Sequence, residues 1–431
     1  MRAARVLFVL LGLAISACDI FLIFVAPAPR QPSPSRRAAD ERLIARGVAG
    51  VGALALRDGF LVWWRDRHGL VVTRRSATLT KRASTHLRLR ADEIALASRG
   101  RHTLVAWRTP SRGRCSRLMV ALLDTRTLAL VRRHELERDC TRRALEPGIA
   151  LEQLRTVRGG FALVEGGDGP LLGSGLRRNH PSVRVLWLDA AGRLRGRTVI
   201  ALPRSTSFIA PLAQLARAGH SYVLAIAVPG SVTLGDHPLA DRLLVQALDA
   251  RGRAAGRPRQ VAASAPSGLL LALTAADGKQ AALAWESASP ERLVPGSTIG
   301  FRTKALWLTL VRPGARHWQS LLATRAIKQG GEFGAEVSLF RARGGWIITF
   351  NDGLAARTLL VSGKRPGRVR LLAAPRRSGY FQPQMWFAAS RRELLAAWIE
   401  PSASARVPSP ADPGSELFLR RAPRALTPPG G

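Results

Sequence analysis

The sequence predicts an all-β fold that is built from repeats of short strands. One run of residues, mostly apolar and usually ending in a large apolar side chain, occurs seven times along the chain. The seven copies are Gly59–Trp64, His102–Trp107, Gly160–Val164, Ser221–Ile226, Gln280–Trp285, Gly345–Phe350 and Glu393–Trp398. The six steps from Trp64 to Trp398 average about 56 residues, a spacing typical of repeated small sheets.

Each repeat has room for four strands, A to D, and this layout resembles that of β-propeller proteins. In the third repeat we assign strand A to residues 151–156, B to 160–164, C to 183–188 and D to 194–201. The resemblance implies seven four-stranded blades over residues 46–427, and six or eight blades also fit. No signature of a particular propeller family is present, and a pair of β-sandwiches is the main alternative.

Turn residues separate strands C and D in several repeats. Asp189 and Gly192 bound such a turn in the third repeat, and Asp249 and Gly252 do so in the fourth. Asp at the first position and Gly at the fourth are typical of tight turns. We therefore interpret these aspartates, with Asp124 in the second repeat, as turn formers rather than metal ligands.

The connections predict two unlike faces. The A–B and C–D turns are short, with the C–D turn of the fifth repeat at residues 312–315, and they emerge on one side, which we name the tight-turn face. The B–C loops and the inter-blade connectors emerge on the other side, the long-loop face. Four B–C loops there are long: 165–182, 229–241, 286–302 and 400–415. Long loops on a rigid scaffold often carry binding residues.

The chain is strongly basic, with a formal net charge of +37. Such a surplus indicates an anionic partner, and an arginine-rich composition without a partner is the alternative. Nucleic acid is not expected, because the basic turns lack interleaved aromatic residues. We predict a basic surface on the tight-turn face that consists of Arg99, Arg101, Arg155, Arg158, Arg193, Arg195, Arg251, Arg253, Arg341, Arg343, Arg391 and Arg392.

Residues 1–25 have the layout of a targeting or anchoring segment. Two arginines precede an apolar run, and Ile15-Ser-Ala-Cys18 resembles a bacterial lipobox. The resemblance implies that Cys18 is acylated and that Asp19 directs retention in the inner membrane. An uncleaved membrane helix over residues 6–25 is the alternative, because this run reaches the minimum length of a span.

Both mechanisms predict a membrane-anchored, extracytoplasmic protein, on the periplasmic side of the inner membrane or at the cell surface. Residues 26–45 are rich in proline and arginine and predict an extended tether, and residues 428–431 predict a disordered tail. An extracytoplasmic location permits a disulfide between Cys115 and Cys140. Two free buried thiols are the alternative.

The sequence contains no recognisable motif for catalysis, metal binding or cofactor binding. The eight histidines are scattered, and phosphate-binding loops and dinucleotide fingerprints are absent. We therefore predict no cofactor, no metal and no assigned catalytic residue. Five acids near the ends of B strands are candidates for glycoside hydrolysis, but we interpret them as loop caps or arginine partners: Asp66, Glu165, Glu286, Asp352 and Glu400.

Taken together, these features predict a binding or scaffolding module at the bacterial cell envelope. The expected partner is an envelope protein, an anionic glycan or a lipid headgroup, with attachment to the membrane through the N-terminal segment. The sequence makes no prediction of oligomeric state. The alternative is a propeller-type glycan hydrolase or lyase that uses carboxylates from the B–C loops, and a purely structural envelope protein is a third possibility.

Overall fold

The computed structural model describes most of the chain between residues 41 and 423. The described ranges are 41–91, 93–109, 115–139, 149–168, 180–203, 210–229, 240–261, 271–276, 279–288, 303–315, 317–328, 337–342, 344–351, 355–363, 365–373, 385–390, 393–400 and 415–423. Among these residues we find no helix with the length and apolar character needed to span a membrane. The predicted N-terminal anchor segment and the C-terminal tail lie outside the described residues.

The described strands form seven antiparallel sheets, which are the blades of a seven-bladed β-propeller. Blade 1 contains β2 (Gly50–Leu56), β3 (Gly59–Asp66), β4 (Gly69–Ser76) and β5 (Lys81–Leu87). Blade 2 contains β6 (Glu93–Arg99), β7 (His102–Arg108), β8 (Ser116–Asp124) and β9 (Leu130–Asp139). Blade 3 contains β10 (Ala150–Val157), β11 (Gly160–Asp168), β12 (Pro181–Asp189) and β13 (Leu194–Ala201).

The next three blades repeat this order, and strand A is innermost in each. Blade 4 contains β14 (Leu212–Ala218), β15 (Ser221–Pro229), β16 (Ala240–Leu248) and β17 (Arg259–Gln260). Blade 5 contains β18 (Leu271–Ala275), β19 (Ala281–Ala288), β20 (Thr303–Val311) and β21 (Ser320–Lys328). Blade 6 contains β22 (Val337–Ala342), β23 (Gly345–Asn351), β24 (Ala356–Ser362), β25 (Arg365–Pro366) and β26 (Arg370–Ala373).

Blade 7 is assembled from both ends of the chain. Its first three strands are β27 (Met385–Ala389), β28 (Glu393–Glu400) and β29 (Glu416–Pro423), and its outer strand is the N-terminal β1 (Glu41–Arg46). The register pairs Glu41 with Arg420 and Arg46 with Glu416. Residues 41–45, which the composition assigned to the tether, therefore belong to the strand that closes the ring.

The recurring run of the sequence is strand B of every blade, so the seven-bladed interpretation is confirmed. The apolar core of the described residues divides into seven clusters, one at each interface between neighbouring blades. At the closing interface, Val62 and Trp64 of blade 1 pack with Leu395 and Leu417 of blade 7. Burying each such side chain contributes roughly 2 kcal/mol, so the ring is stabilised by its blade contacts.

The predicted turn aspartates are confirmed as turn formers. Asp189 Oδ1 accepts hydrogen bonds from the backbone N–H groups two and four residues later, at 2.8 and 2.9 Å. Asp249 Oδ1 does the same at 2.8 Å for both bonds, and Gly252 in that turn has a φ of 80°. In Asp124, the backbone N–H and the hydroxyl of Thr127 hold the pKa of the carboxyl below its ordinary value.

Candidate functional site

The C–D connection of blade 5 is longer than a tight turn. Strand β20 ends at Val311 and β21 begins at Ser320, whereas β12 and β13 of blade 3 are joined by a short turn. The connection starts as the predicted turn, in which the Ala315 N–H donates to the Arg312 carbonyl at 3.2 Å. It then continues to Gln319 before the strand begins. We name residues 312–319 the blade 5 loop.

The blade 5 loop borders an open groove between blades 5 and 6. The groove has a volume of about 630 Å³, within the range of small-ligand pockets. Several lining residues lie in or beside A–B and C–D turns, so the groove belongs to the tight-turn face. Its apolar lining includes Leu308, Leu310, Trp318 and Trp346, and its polar lining includes Gln280, Arg312, His317, Gln319 and Ser320. We name it the blade 5–6 groove.

Local contacts hold the blade 5 loop in place. Trp318 Nε1 donates a hydrogen bond to the Arg312 carbonyl at 3.2 Å, and the indole packs against the apolar cluster between blades 4 and 5. Arg259 Nη1 donates to the Ala315 carbonyl at 2.7 Å, which ties the loop to blade 4. A loop that is already ordered loses little conformational entropy when a ligand binds.

The electrostatic surroundings of the groove are basic. Arg312 and His317 are exposed among the lining residues. Segments 292–331 and 353–392, which supply ten of the twelve lining residues, contain no Asp or Glu, whereas Gln280 and Trp346 come from segments that do contain acids. No carboxylate from these segments competes for the cations, so the groove is suited to an anionic ligand.

Nine of the twelve arginines predicted for the basic surface lie among the described residues. Eight of its arginines are exposed in or beside turns of the tight-turn face: Arg99, Arg101, Arg158, Arg193, Arg195, Arg251, Arg253 and Arg341. Arg343, Arg391 and Arg392 lie outside the described residues. Anion binding by this surface stays a prediction.

Arg155 is placed differently, on the inner strand β10. Its Nη1 donates to the carbonyls of Leu215 and Leu273, at 2.6 and 2.7 Å, and its Nη2 donates to Thr274 Oγ1 at 3.3 Å. Burial lowers the pKa of Arg155 to about 10, so the guanidinium stays charged at neutral pH. Arg155 therefore links the inner strands of blades 3, 4 and 5 and does not belong to the exposed surface.

Other side chains on inner strands bond to the next blade in the same way. Three backbone N–H groups donate to such side chains: Leu151 to Glu93 Oε2 at 2.6 Å, Leu215 to Gln153 Oε1 at 2.8 Å, and Leu273 to Gln214 Oε1 at 2.8 Å. The inner strand of a blade has a free edge whose backbone groups need partners. These bonds supply partners and hold blades 2 to 5 together around the axis.

Glu152 lies at an irregularity in β10, where the pairing with β11 skips from Leu151 to Gln153. Burial and the charge of Glu93 raise the pKa of Glu152 to about 8, although the Ala213 N–H donates to its carboxylate. The Glu152 carboxyl is therefore mostly protonated at neutral pH. Sequence reasoning considered acids at the ends of B strands and missed this pair on the A strands.

The described acids among the predicted candidates have other partners. Asp66 Oδ1 accepts two backbone N–H groups of its own turn, at 2.8 and 2.9 Å. Glu400 Oε1 accepts the indole N–H of a neighbouring tryptophan at 2.9 Å, and Glu165 is buried between two arginines. The contacts of Asp66 and Glu165 agree with their interpretation as a cap and an arginine partner, whereas this contact of Glu400 is to an indole. The side chains of Glu286 and Asp352 lie outside the described residues.

The Glu165 cluster joins blades 2 and 3. Glu165 Oε1 accepts from Arg108 Nε at 3.2 Å, and Oε2 accepts from Arg184 Nε at 3.0 Å and Nη2 at 2.6 Å. Arg184 also pairs with Glu137 at 2.7 Å. Because Glu165, Arg108 and Arg184 are buried, each depends on the others for charge compensation.

Three further predictions concern metal binding, Cys18 and the disulfide. The part of the chain that the structure describes holds no group of three or more His, Cys, Asp or Glu residues suited to a metal ion. Cys18 and Cys140 lie outside the described residues. Acylation of Cys18 and the disulfide between Cys115 and Cys140 therefore stay predictions.

No protein-family model matches the sequence, and no curated protein matches it. Several solved structures are similar in fold. The β-propeller domain of the Trilobed protease from Pyrococcus furiosus is 9% identical, with a TM-score of 0.45, over 86% of this chain and 96% of that one. Polysaccharide lyase Uly1 is 9% identical, with a TM-score of 0.48, over 86% and 89%.

A third similar structure is the α-L-arabinofuranosidase Arb93A from Fusarium graminearum. It is 10% identical, with a TM-score of 0.45, over 75% of this chain and 90% of that one. At such low identity these likenesses concern the propeller fold alone.

The blade 5–6 groove was not predicted from the sequence. The sequence interpretation ended the C–D turn of blade 5 at residue 315, although the polar and aromatic residues His317, Trp318 and Gln319 follow it. A tryptophan between a turn and the next strand is a local signal that could have indicated a longer loop. Trp346 gives no such signal, because it belongs to the next blade.

Proposed function

We propose that this propeller is a binding module for an acidic glycan and that the blade 5–6 groove is its binding site. The observation that carries the proposal is a groove of small-ligand size in which the half-buried Trp318, exposed cations and neutral amides lie together. Trp318, which is half-buried, offers aromatic surface to a sugar ring, whereas Trp346 is buried and forms part of the apolar wall. Gln280 and Gln319 can both donate to and accept from hydroxyl groups, and Arg312 can pair with a carboxylate or sulfate.

Single-stranded nucleic acid is the main competing ligand, because it also uses aromatic and basic residues. The neutral amides beside the cations favour a glycan, since sugars present many hydroxyl groups that need both donors and acceptors. Lipid headgroups and an envelope protein are further alternatives. We place the activity at the cell envelope, where the predicted anchor, through Cys18 or a helix over residues 6–25, would keep the propeller close to envelope polysaccharides.

A charge placed in the groove tests this site. Leu310 lines the groove and is 43% exposed, so Leu310→Glu should fold while it repels an acidic ligand. We expect the full-length variant to bind heparin and polygalacturonate at least tenfold more weakly than the unaltered chain, as measured by calorimetry. Leu371→Glu is the matched control, because Leu371 is an exposed leucine on β26 that does not line the groove.

The same titrations separate the alternatives. Neutral dextran should not bind, and phosphatidylglycerol vesicles and a single-stranded oligonucleotide should bind more weakly than the acidic glycans at equal salt. Equal loss of affinity in Leu310→Glu and Leu371→Glu would mean that binding follows net charge and not this groove. Preferred binding of vesicles or of the oligonucleotide would replace the glycan with that ligand.

A glycan hydrolase or lyase is a second candidate, and the pair of Glu93 and Glu152 favours it. A protonated carboxyl close to a carboxylate is the combination that acid–base cleavage of a glycosidic bond requires. If this function holds, the full-length chain should release reducing ends or unsaturated products from acidic polysaccharides. Glu152→Gln should then abolish release, and an undegraded polysaccharide after long incubation with the unaltered chain would exclude the candidate.

A further inference from the structure

The blade 5 loop stands between two concave surfaces. On one side is the blade 5–6 groove. On the other side is a small cleft between blades 4 and 5, with a volume of about 60 Å³. The cleft lining includes Val245, Arg257, Arg259, Pro313, Gly314 and Trp318. Because Trp318 lines both surfaces, the two sites share one wall.

The cleft is too small to hold a sugar residue, since ligand pockets usually have several hundred Å³. It does carry two exposed cations, Arg257 and Arg259. The segment in front of them is fixed, because Gln246 Nε2 donates to the carbonyls of Ala255 and Gly256, at 3.4 and 3.2 Å. The cleft is therefore an ordered basic rim beside the groove rather than a separate pocket.

Cations thus lie on both sides of Trp318. Arg312 and His317 are on the groove side, and Arg257 and Arg259 are on the cleft side. An acidic ligand that extends from the groove over the Trp318 indole would contact a second pair of cations. The segment 250–276 has no carboxylate that would repel it.

We propose that the ligand is a linear acidic polysaccharide that extends from the blade 5–6 groove, over Trp318, to Arg257 and Arg259. The inference rests on the proposed glycan binding. It adds the path of the ligand across the surface and a dependence of affinity on ligand length. One residue of the ligand occupies the groove, and the acid groups of the following residues pair with the two arginines. Affinity should therefore depend on the number of linked acidic sugars.

A length series tests this inference. Calorimetry with heparin-derived disaccharide, tetrasaccharide and hexasaccharide should show affinity that rises with length by at least tenfold across the series. The double variant Arg257→Ala/Arg259→Gln should remove most of that gain and should weaken the disaccharide least. Glutamine at position 259 keeps an N–H donor but is shorter than arginine, so the tie to the Ala315 carbonyl is weakened and the fold of the variant is checked separately.

The control is Arg193→Ala/Arg195→Gln, which removes two exposed arginines with the same spacing from blade 3. Thermal unfolding checks that both double variants are folded. An equal effect of the two double variants would overturn the proposed path, because it would show that only total charge matters. Affinity that does not change with length would also overturn it while leaving glycan binding in the groove intact, whereas no binding of any length would contradict the proposed function itself.

Discussion

Replacing Glu165 with alanine is expected to lower the free energy of unfolding by about 3–5 kcal/mol. Arg108 and Arg184 would stay buried at the interface of blades 2 and 3 without the carboxylate that compensates both of them. Glu137 could still pair with Arg184, but Arg108 would lose its main counter-charge. The denaturant midpoint of the full-length variant measures this loss.

Two further variants identify the cause of the loss. Glu135→Ala removes a surface carboxylate that pairs with Arg138 and Arg117, and it should change stability by less than about 1 kcal/mol. The triple variant Arg108→Met/Glu165→Leu/Arg184→Met should regain much of the stability, because no unpaired buried charge is left at its centre. A small effect of Glu165→Ala would show that the two arginines reach water without their partner.

Glu152→Gln is expected to stabilise the propeller at alkaline pH and to leave its stability unchanged near pH 5. The pKa of Glu152 is raised to about 8, so between its ordinary value and pH 8 the folded chain holds a proton that the unfolded chain has released. Stability from this group is therefore lost as the pH rises through that window. Glutamine resembles the protonated carboxyl at every pH and should be more stable by roughly 2–4 kcal/mol at pH 9.

Denaturant unfolding from pH 5 to pH 9 measures the difference between the two chains. Glu93→Gln provides a second variant, because the charge of Glu93 contributes to the raised pKa of Glu152. Because the charge of Glu93 raises the pKa of Glu152, Glu93→Gln should lower that pKa. The loss of stability should then end at a lower pH and be smaller in total. An end at higher pH would show that Glu93 stabilises the ionised form of Glu152. A difference between Glu152→Gln and the unaltered chain that is constant with pH would contradict the prediction.

The fold could be predicted from local patterns because each blade repeats them. The B strands carry their apolar runs in every repeat, and Asp124, Asp189 and Asp249 form turns through their own backbone neighbours. Closure of the ring could not be predicted in this way. The segment Glu41–Arg46 pairs with Glu416–Arg420. No local sequence pattern in either segment indicates a pairing partner so distant in sequence.

The candidate site was harder to predict for the same physical reason. Basic residues in turns could be read from the sequence, and most of the described ones are exposed. The blade 5–6 groove exists because a lengthened loop in one blade meets Trp346 of the next, so only packing between repeats creates it. Arg155 shows the reverse case. Its position beside a turn predicted exposure, but its guanidinium donates to backbone carbonyls on the inner strands of the next two blades.

Strand β1 and the last blade have a consequence for synthesis of the protein on the ribosome. Strand β1 is made before all the other strands, but its partner β29 is made after them. Until then, Val62 and Trp64 of blade 1 lack the blade 7 residues that cover them, and such uncovered apolar surface favours aggregation. The nascent chain therefore needs protection until β29 has emerged, and a product that stops before residue 416 loses the closure of the whole ring rather than one strand.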